Sequence, residues 1–410
     1  MKGRRWYRMA LAAAAVSAQG VSSVAAAPSP QEEYLEELAS STARMAQVSL
    51  ERASVAGSGD LTLELAPAQE TWPLFAPVTV FVRLTNAGTQ PAEGYYQLNE
   101  DSARLFLYIA RAGGQFVPLL SLAALRAQMN DMMFPRGLLP PGNAITARVT
   151  LLYDYVTRDY AFPLAGTYRV KAVFAYDLGY ENVVSSNVAD IKIVSADWQD
   201  TQVVPLVEGQ EQANVLQRES ADADAVAKLR TVVEMCPDSE YALYARTPLS
   251  WPPGASYARE APAADRTLGP RHRAVLEEAV ATLRDASQTT YMRMGAALRL
   301  GEQLGHKDAM PALVSAINDS AAPREVRFAA VIALSQIPDP SAVEALLDVV
   351  TAHPEPALRE RARKQLVHMG VPVGPVHPPA GWELRKETGT WVPRAAGNAD
   401  VIVTDVKSAQ

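Results

Sequence analysis

One pattern recurs in RMGAALRLGEQLGH (293–306), RFAAVIALSQIPDP (327–340) and RERARKQLVHMGVP (359–372). In each segment an Arg is followed by an Ala three residues later and by a Leu four residues after that. The three Arg residues are 34 and 32 positions apart. A period of this length is typical of stacked helical pairs, because no pair buries its apolar face alone. The sequence therefore predicts helical repeats over residues 271–370.

Each predicted unit has a first helix, a turn and a second helix that begins near a Pro-x-x-Val-Arg sequence. PREVRFAAVIAL (323–334) fits this pattern best, PEPALRERARKQL (354–366) fits it more loosely, and TTYMRMGAALRL in the first unit lacks the Pro. The region resembles HEAT repeats, with units at 271–305, 306–338 and 339–370. The resemblance implies a short arc with the second helices on its concave side.

The recurring Arg residues form a ladder of three members, Arg293, Arg327 and Arg359. In HEAT repeats an Arg at this position commonly bonds an Asp of a neighbouring turn. The resemblance therefore implies a structural role, with Asp319 as the partner of Arg327.

Charge across 271–370 is balanced, with twelve Lys and Arg against twelve Asp and Glu, so we expect no long-range field for anions. We place the candidate partner contacts at positions expected to point outward: Arg299, Arg324, Arg361, Arg363 and Lys364.

Apolar residues alternate with polar ones from Leu61 onward, as in LTLEL (61–65) and VTVFVRLT (78–85). This period of two predicts strands with one face on a core. Two later segments, FPLAGTYRVKAVFAYD (162–177) and VVSSNVADIKIV (183–194), resemble the closing strands of a bacterial immunoglobulin-like or fibronectin-like module. The resemblance covers residues 60–195 and implies a β-sandwich. The predicted fold is thus multidomain, an all-β sandwich followed by an all-α, HEAT-like solenoid.

Four other segments connect or extend these two regions. We expect residues 28–59 to form a polar, solvated leader helix or linker, and a docking helix that covers another domain is the alternative. Residues 196–248 form a polar link and a helical hairpin, which resembles a single tetratricopeptide-type hairpin at CPDSEYALYA. A linker rich in Pro and Gly spans 249–270. We expect a small hairpin with Trp382 and Trp391 in the Pro-rich tail, residues 371–410.

Residues 1–27 have the features of a signal peptide: a basic start, the apolar run MALAAAAVSA (9–18) and small residues at Ala25 and Ala27. An uncleaved anchor is the alternative. Cleavage would leave 34 Lys and Arg against 45 Asp and Glu, a net charge of −11. Such a balance argues against broad nucleic-acid binding, which relies on phosphate neutralisation. We expect a periplasmic or secreted protein without a stable membrane span, and the single Cys236 suits an oxidising compartment.

Local catalytic motifs are missing from the sequence. It has no Gly-x-Ser-x-Gly, His-Glu-x-x-His, Walker loop or dinucleotide fingerprint, and no two of its five His are spaced for a metal site. We therefore predict no catalytic residue, no cofactor and no metal, and expect a non-catalytic adaptor that binds another protein. Two alternatives stay open: a hydrolase whose site forms between domains, and a module that binds surface polysaccharide.

Overall fold

The structure is a computed structural model that describes residues 30–55, 59–98, 104–111, 113–121, 124–125, 136–177, 179–250, 264–371, 373, 382–385 and 390–393. A sheet-rich region over residues 61–194 is followed by a helical region over residues 204–368. The expected signal peptide lies outside the described residues, as do most of the Pro-rich linker and residues 394–410. Within these described ranges, no helix is both long and apolar enough to cross a membrane.

Three antiparallel strands form the first sheet, in the order β1 (Leu61–Pro67), β3 (Val78–Asn86) and β8 (Ala144–Leu151). Their register places Leu63 opposite Leu84. Successive side chains of a strand point to opposite faces. The three Leu of β1 are accordingly buried, whereas Thr62 and Glu64 are exposed. The alternation in the sequence predicted this buried face correctly.

Five strands form the second sheet, in the order β2 (Thr71–Pro73), β12 (Val183–Val194), β11 (Gly166–Ala175), β5 (Leu105–Arg111) and β6 (Val117–Leu119). All its pairings are antiparallel except that of β2 with β12. Two short antiparallel pairs complete this region, β4 (Ala92–Gly94) with β7 (Gly137–Leu139) and β9 (Tyr153–Asp154) with β10 (Asp159–Tyr160). One hydrophobic cluster contains buried residues of both large sheets, among them Val82, Val170 and Ile191.

The segment expected as a link and a helical hairpin contains α2 (Val204–Val207), α3 (Gln210–Leu216), α4 (Ala223–Met235) and α5 (Glu240–Ser250). Asp222 caps α4, because its carboxylate accepts a hydrogen bond from the backbone N–H of Ala225 at 2.9 Å. Leu229 and Tyr241 belong to the same hydrophobic cluster as the two sheets. The Tyr241 hydroxyl also donates to the Leu74 carbonyl at 2.7 Å. These helices therefore extend the core of the sheet-rich region.

The predicted polar leader at 28–59 is a helix, α1 (Pro30–Val55). From Leu38 onward it packs on the sheet-rich region, and Ala46 shares a buried cluster with Tyr108 and Val173. The Tyr108 hydroxyl donates to the Ala46 carbonyl at 2.6 Å. From Leu38 onward the segment is thus a packed helix and not a solvated leader. The physical reason is that β5 is buried on both faces, so its second face requires a cover.

Three helical pairs form the repeat region, in the order α6 (Pro270–Arg284), α7 (Thr290–Leu298), α8 (Met310–Asn318), α9 (Arg324–Ser335), α10 (Pro340–Ala352) and α11 (Pro356–His368). A π-helical turn, Arg299–Leu304, continues α7 and ends at Gly305, whose positive φ of 53° allows the left-handed cap. The recurring Leu residues, Leu300, Leu334 and Leu366, are fully buried in one shared core. The spacing in the sequence therefore marked the core of the repeats correctly.

Two segments flank the repeats. Residues 249–270 were predicted to be a linker, but α5 runs to Ser250, and Ala264 and Leu268 are buried in the core of the repeats. The backbone N–H of Lys307 donates to the Ala264 carbonyl at 2.9 Å. The end of this segment is therefore packed structure, because its two apolar side chains fill space beside the first pair. Farther along, β13 (Trp382–Arg385) pairs with β14 (Thr390–Pro393) as an antiparallel hairpin.

Candidate functional site

The ladder of Arg residues bonds turns of the scaffold. Arg293 is buried, and its Nε donates to the Leu283 carbonyl at 2.9 Å. Its Nη2 also lies 4.0 Å from Asp319 in the turn of the second helical pair. Arg359 donates in the same manner to the His353 carbonyl at the end of the preceding helix, at 2.8 Å. The ladder therefore orients turns, as the resemblance implied.

One partner within this ladder was predicted wrongly. Arg327 bonds Glu355, with Nη1 and Oε2 2.6 Å apart, and does not pair with Asp319. Glu355 lies in the turn of the next helical pair, just as Asp319 does for Arg293. Arg327 thus reaches the turn of the next unit, as Arg293 does, whereas its expected partner lies in the turn of its own unit. The resemblance implied an Asp of a neighbouring turn, and the stacking of pairs makes that turn the one of the next unit, where the acceptor is Glu355.

Arg299 is not at an outward position, so that expectation is wrong. Its side chain is only 13% exposed and donates to the Glu240 carboxylate at 2.9 Å. Burial raises the pKa of Glu240 from its ordinary value, and the cation of Arg299 opposes this rise. The π-helical turn directs Arg299 toward α5, which the spacing of the repeats could not reveal. Arg299 therefore joins α5 to the first helical pair.

The other four candidates lie on the second helices of the second and third pairs. Arg324 donates to Glu355 at 2.6 Å with its own side chain 40% exposed. Arg361 stacks over the Phe328 ring at 5.4 Å. Arg363 is held by an ion pair with Glu360 one turn away, and Lys364 is half-buried on α11.

Three of these candidates, together with Phe328, define what we call the repeat surface. Its members are Arg324 and Phe328 on α9, and Arg361 and Lys364 on α11. Residues three or four positions apart share one face of a helix, and the stacking of Arg361 on Phe328 joins the two helices. The repeat surface therefore combines basic side chains of two neighbouring helices with one aromatic ring, and its Arg324 is ion-paired with Glu355.

The first sheet covers the second helix of the first pair. The Tyr291 hydroxyl donates to the Glu64 carboxylate at 2.6 Å, and the Tyr291 ring lies 6.0 Å from the Phe81 ring. Gly295 approaches Ala68 so closely that a Cβ on it would lie 2.0 Å from the Ala68 carbonyl oxygen. The side predicted to be concave and available for binding is thus occupied by the protein's own sheet at α7.

Two ion pairs extend this contact. Arg148 of β8 bonds Glu302 at 2.6 Å, and Arg83 of β3 lies 3.2 Å from Glu325 at the start of α9. The contact between sheet and repeats therefore reaches the first turn of α9, the helix that also carries Arg324 and Phe328 of the repeat surface.

A polar crevice lies where the first sheet meets the first pair. It has a volume of about 30 Å³, and its lining includes Trp72, Arg148, Arg299, Glu302 and Gln303. Ligand pockets usually measure about 300–1,000 Å³, whereas one water occupies about 30 Å³ of liquid. This crevice is therefore too small for an organic substrate.

A larger groove of about 530 Å³ lies between the second and third helical pairs. Its lining is mostly apolar and includes Ile337, Pro340, Val343 and Met369. It contains no nucleophile with a neighbouring base, which covalent catalysis requires. Among the described residues, no three His, Cys, Asp or Glu side chains are grouped so that they could hold a metal.

Three of the five His residues are buried within the helical region. His272 bonds the Ser239 carbonyl through Nε2 at 2.8 Å, and burial lowers its pKa to about 4. His306 and His353 each accept a backbone N–H through Nδ1, at 3.2 and 3.1 Å. A neutral imidazole suits all these contacts. The three His residues therefore connect loops and helix starts of the scaffold.

The comparisons with known proteins identify only the repeats. The family model for HEAT repeats matches residues 275–367, so this part of the chain is a HEAT-repeat region. No curated protein matches the chain.

Two similar solved structures are distant likenesses. A β-glucosidase from Listeria innocua is similar at 15% identity and a TM-score of 0.20, over 34% of this chain and 17% of the enzyme. The sporulation control protein Spo0M from Bacillus subtilis is similar at 9% identity and a TM-score of 0.21, over 37% of this chain and 55% of that protein. The chain thus spans about a sixth of the enzyme and about half of Spo0M. Likenesses at these TM-scores carry no argument about function.

Proposed function

We propose that this chain is an exported, non-catalytic scaffold for protein interactions, built from an immunoglobulin-like β-sandwich and a short HEAT arc. The HEAT-repeat region supports the interaction role, because stacked helical pairs create extended binding surfaces. The sandwich is supported by the single hydrophobic cluster that the two large sheets share. The proposed compartment is the periplasm or the exterior of the cell, on the strength of the signal-like residues 1–27.

The repeat surface is the proposed partner site, and its position is the observation that carries the proposal. The sheet-rich region packs on α7 through Tyr291 and Gly295, whereas the repeat surface lies on the two later second helices. Its Arg–aromatic pair is of the type enriched at protein interfaces, where Arg and aromatic residues are over-represented. The partner that fits this surface presents carboxylates, which would bond Arg361 and Lys364.

The experiment is in-cell crosslinking of the full chain in its exported compartment, followed by mass spectrometry. We expect crosslinks to one protein to concentrate on α9 and α11. With that partner purified, reversing the charge at Lys364 (Lys364→Glu) should weaken binding by about tenfold, since it opposes like charges across the interface. Lys192→Glu is the matched control, because Lys192 is exposed on β12 of the second sheet and is not a member of the repeat surface.

Two results would overturn the scaffold proposal. One is crosslinking that recovers no protein partner while a small substrate or a metal raises the melting temperature. The other is a shift of intrinsic Trp emission on addition of glycans, without any protein partner. The first result favours the hydrolase alternative, and the second favours the polysaccharide-binding alternative.

A further inference from the structure

Trp198 is unusually exposed. It lies in the loop between β12 and α2, and its side chain is 79% exposed, whereas that of Trp72 is 1% exposed. Trp is highly buried on average, since its large ring gains more than most side chains by leaving water. Neither the fold nor the repeat surface uses Trp198.

The loop that carries Trp198 is held rigidly by its neighbours. The Asp200 carboxylate is almost fully buried and accepts two hydrogen bonds from Arg271, at 2.9 and 2.7 Å. The backbone N–H of Asp200 donates to the Asp197 carbonyl at 2.8 Å, and the Thr201 hydroxyl donates to the Trp198 carbonyl at 2.7 Å. A rigid loop loses little conformational entropy on binding. The backbone that carries the indole is therefore anchored before a partner binds.

A second exposed apolar side chain lies beside the end of this loop. The Gln202 amide donates to the Cys236 sulfur at 2.9 Å, so the loop meets the end of α4, where Met235 is 51% exposed. Exposed carboxylates flank both apolar residues, Asp197 in the loop and Glu234 on α4. We call these four residues, Asp197, Trp198, Glu234 and Met235, the Trp198 surface.

The geometry points to the Trp198 surface as a second protein-binding site, at which the indole enters an apolar pocket of a partner whose rim is cationic. Trp dominates the binding energy of many protein interfaces, and Met adapts to irregular partner surfaces. The two carboxylates provide charge complementarity to Lys or Arg on the rim. This inference rests on the proposed scaffold function and adds a binding site to it.

A glycan is the less favoured occupant. Sugar rings stack on aromatic faces, and the Trp198 indole alone would provide such a face. Met235 offers no flat face and no hydrogen-bond donor, however, so the second apolar element suits a protein pocket.

The test places a photocrosslinking residue, p-benzoylphenylalanine, at Gln199 in the full exported chain. A second chain carries it at Lys364 on the repeat surface, and a third at Leu138, which is 56% exposed on β7. We expect the Gln199 position to give one discrete adduct in the cell and the Leu138 position to give none. The protein in the adduct is then identified by mass spectrometry and purified.

Affinity measurements with that partner complete the test. Trp198→Ala should weaken binding by about thirtyfold or more, as expected for a dominant interface residue. Leu138→Ala should leave the affinity unchanged. Higher salt should weaken binding to the parent chain, because it screens the carboxylates at the rim. The melting temperature of Trp198→Ala should equal that of the parent, since the indole is exposed.

Several outcomes would overturn the inference. One is an adduct that is insensitive to Trp198→Ala, and another is an adduct at twice the mass of this chain, which would mark contact between two copies. A shift of Trp198 emission with added glycan and no protein adduct would make the site a sugar platform. An adduct from Lys364 without one from Gln199 would overturn this inference alone and leave the scaffold proposal standing.

Discussion

Gly295→Ala should separate the first helical pair from the sheet. A Cβ at this position would lie 2.0 Å from the Ala68 carbonyl oxygen and 2.8 Å from the Ala68 carbonyl carbon. Ordinary contacts are near 3.5 Å, so α7 and β1 must move apart by on the order of 1 Å. Because the neighbouring atoms belong to the backbone, no side-chain rotation relieves the clash. The movement would also stretch the hydrogen bond from Tyr291 to Glu64, now 2.6 Å long.

The expected net loss of stability is about 2 kcal/mol. Forcing extra atoms into a packed interface costs about 1–3 kcal/mol and broken contacts add to this, while the higher helix propensity of Ala returns about 1 kcal/mol. Since each kcal/mol lowers the melting temperature by about 2–4 °C in a domain of 150–250 residues, a fall of several degrees is expected. Urea unfolding and calorimetry measure both quantities.

Gly59→Ala is the matched control, because nothing lies within 4 Å of a Cβ at Gly59. It should leave the unfolding midpoint nearly unchanged. If Gly295→Ala proved as stable as the parent chain, or more stable, the close packing of α7 against β1 would be refuted. A second readout is limited proteolysis, which should cut the variant faster between the sheet and the repeats.

Three further predictions concern single side chains. The free energy of unfolding of the parent should fall as pH falls from 6.5 to about 4, because the unfolded His272 imidazole takes up a proton in this window and the buried one does not; His272→Gln should reduce this fall. Urea unfolding at each pH measures it, with His368→Gln at an exposed position as the control. An unchanged pH dependence in His272→Gln would contradict the lowered pKa of His272. Glu355→Ala should lower the free energy of unfolding by about 1–3 kcal/mol, since it leaves two bonded guanidinium groups without their acceptor. The control Glu344→Ala, at an exposed position, should change that free energy by less than about 0.5 kcal/mol. Tyr108→Phe should lower the free energy of unfolding by about 1 kcal/mol, because the hydrogen bond to α1 is lost. Amide hydrogen exchange in α1 should become faster. Unchanged exchange in α1 would show that this hydrogen bond does not hold the helix on the sheet.

Periodicity was the strongest guide to the fold. Alternation along β1 predicted which Leu residues are buried, and the recurring Leu residues of the repeats are all buried in the second core. The packing of α1 on β5 was not predicted, although LFLYIA (105–110) is a continuous apolar run. Such a run indicates a strand that is buried on both faces. This signal could have favoured docking of α1 over a free leader.

The candidate site was predicted less well than the fold. Arg324, Arg361, Arg363 and Lys364 lie on the second helices as expected, but Arg299 turns toward α5, because a π-helical turn follows α7. The partner of Arg327 was assigned one unit too early. Trp198 was not noticed, since a single aromatic residue in a polar loop has no pattern around it, and only its exposure in the structure distinguishes it.

The sequence by itself determined what depends on local repetition: strands in the first half, stacked helical pairs in the second, and the apolar positions that each element buries. These features follow from periods of two and of three to four residues, which a single segment displays without its neighbours. Tertiary structure alone decided which surfaces remain available. The first sheet packs on α7, Glu355 bonds an Arg of the preceding unit, and Arg271 holds the loop of Trp198 through Asp200, which is 71 positions away from it in the chain. Such contacts join residues distant in the chain, so their energies depend on how whole elements pack.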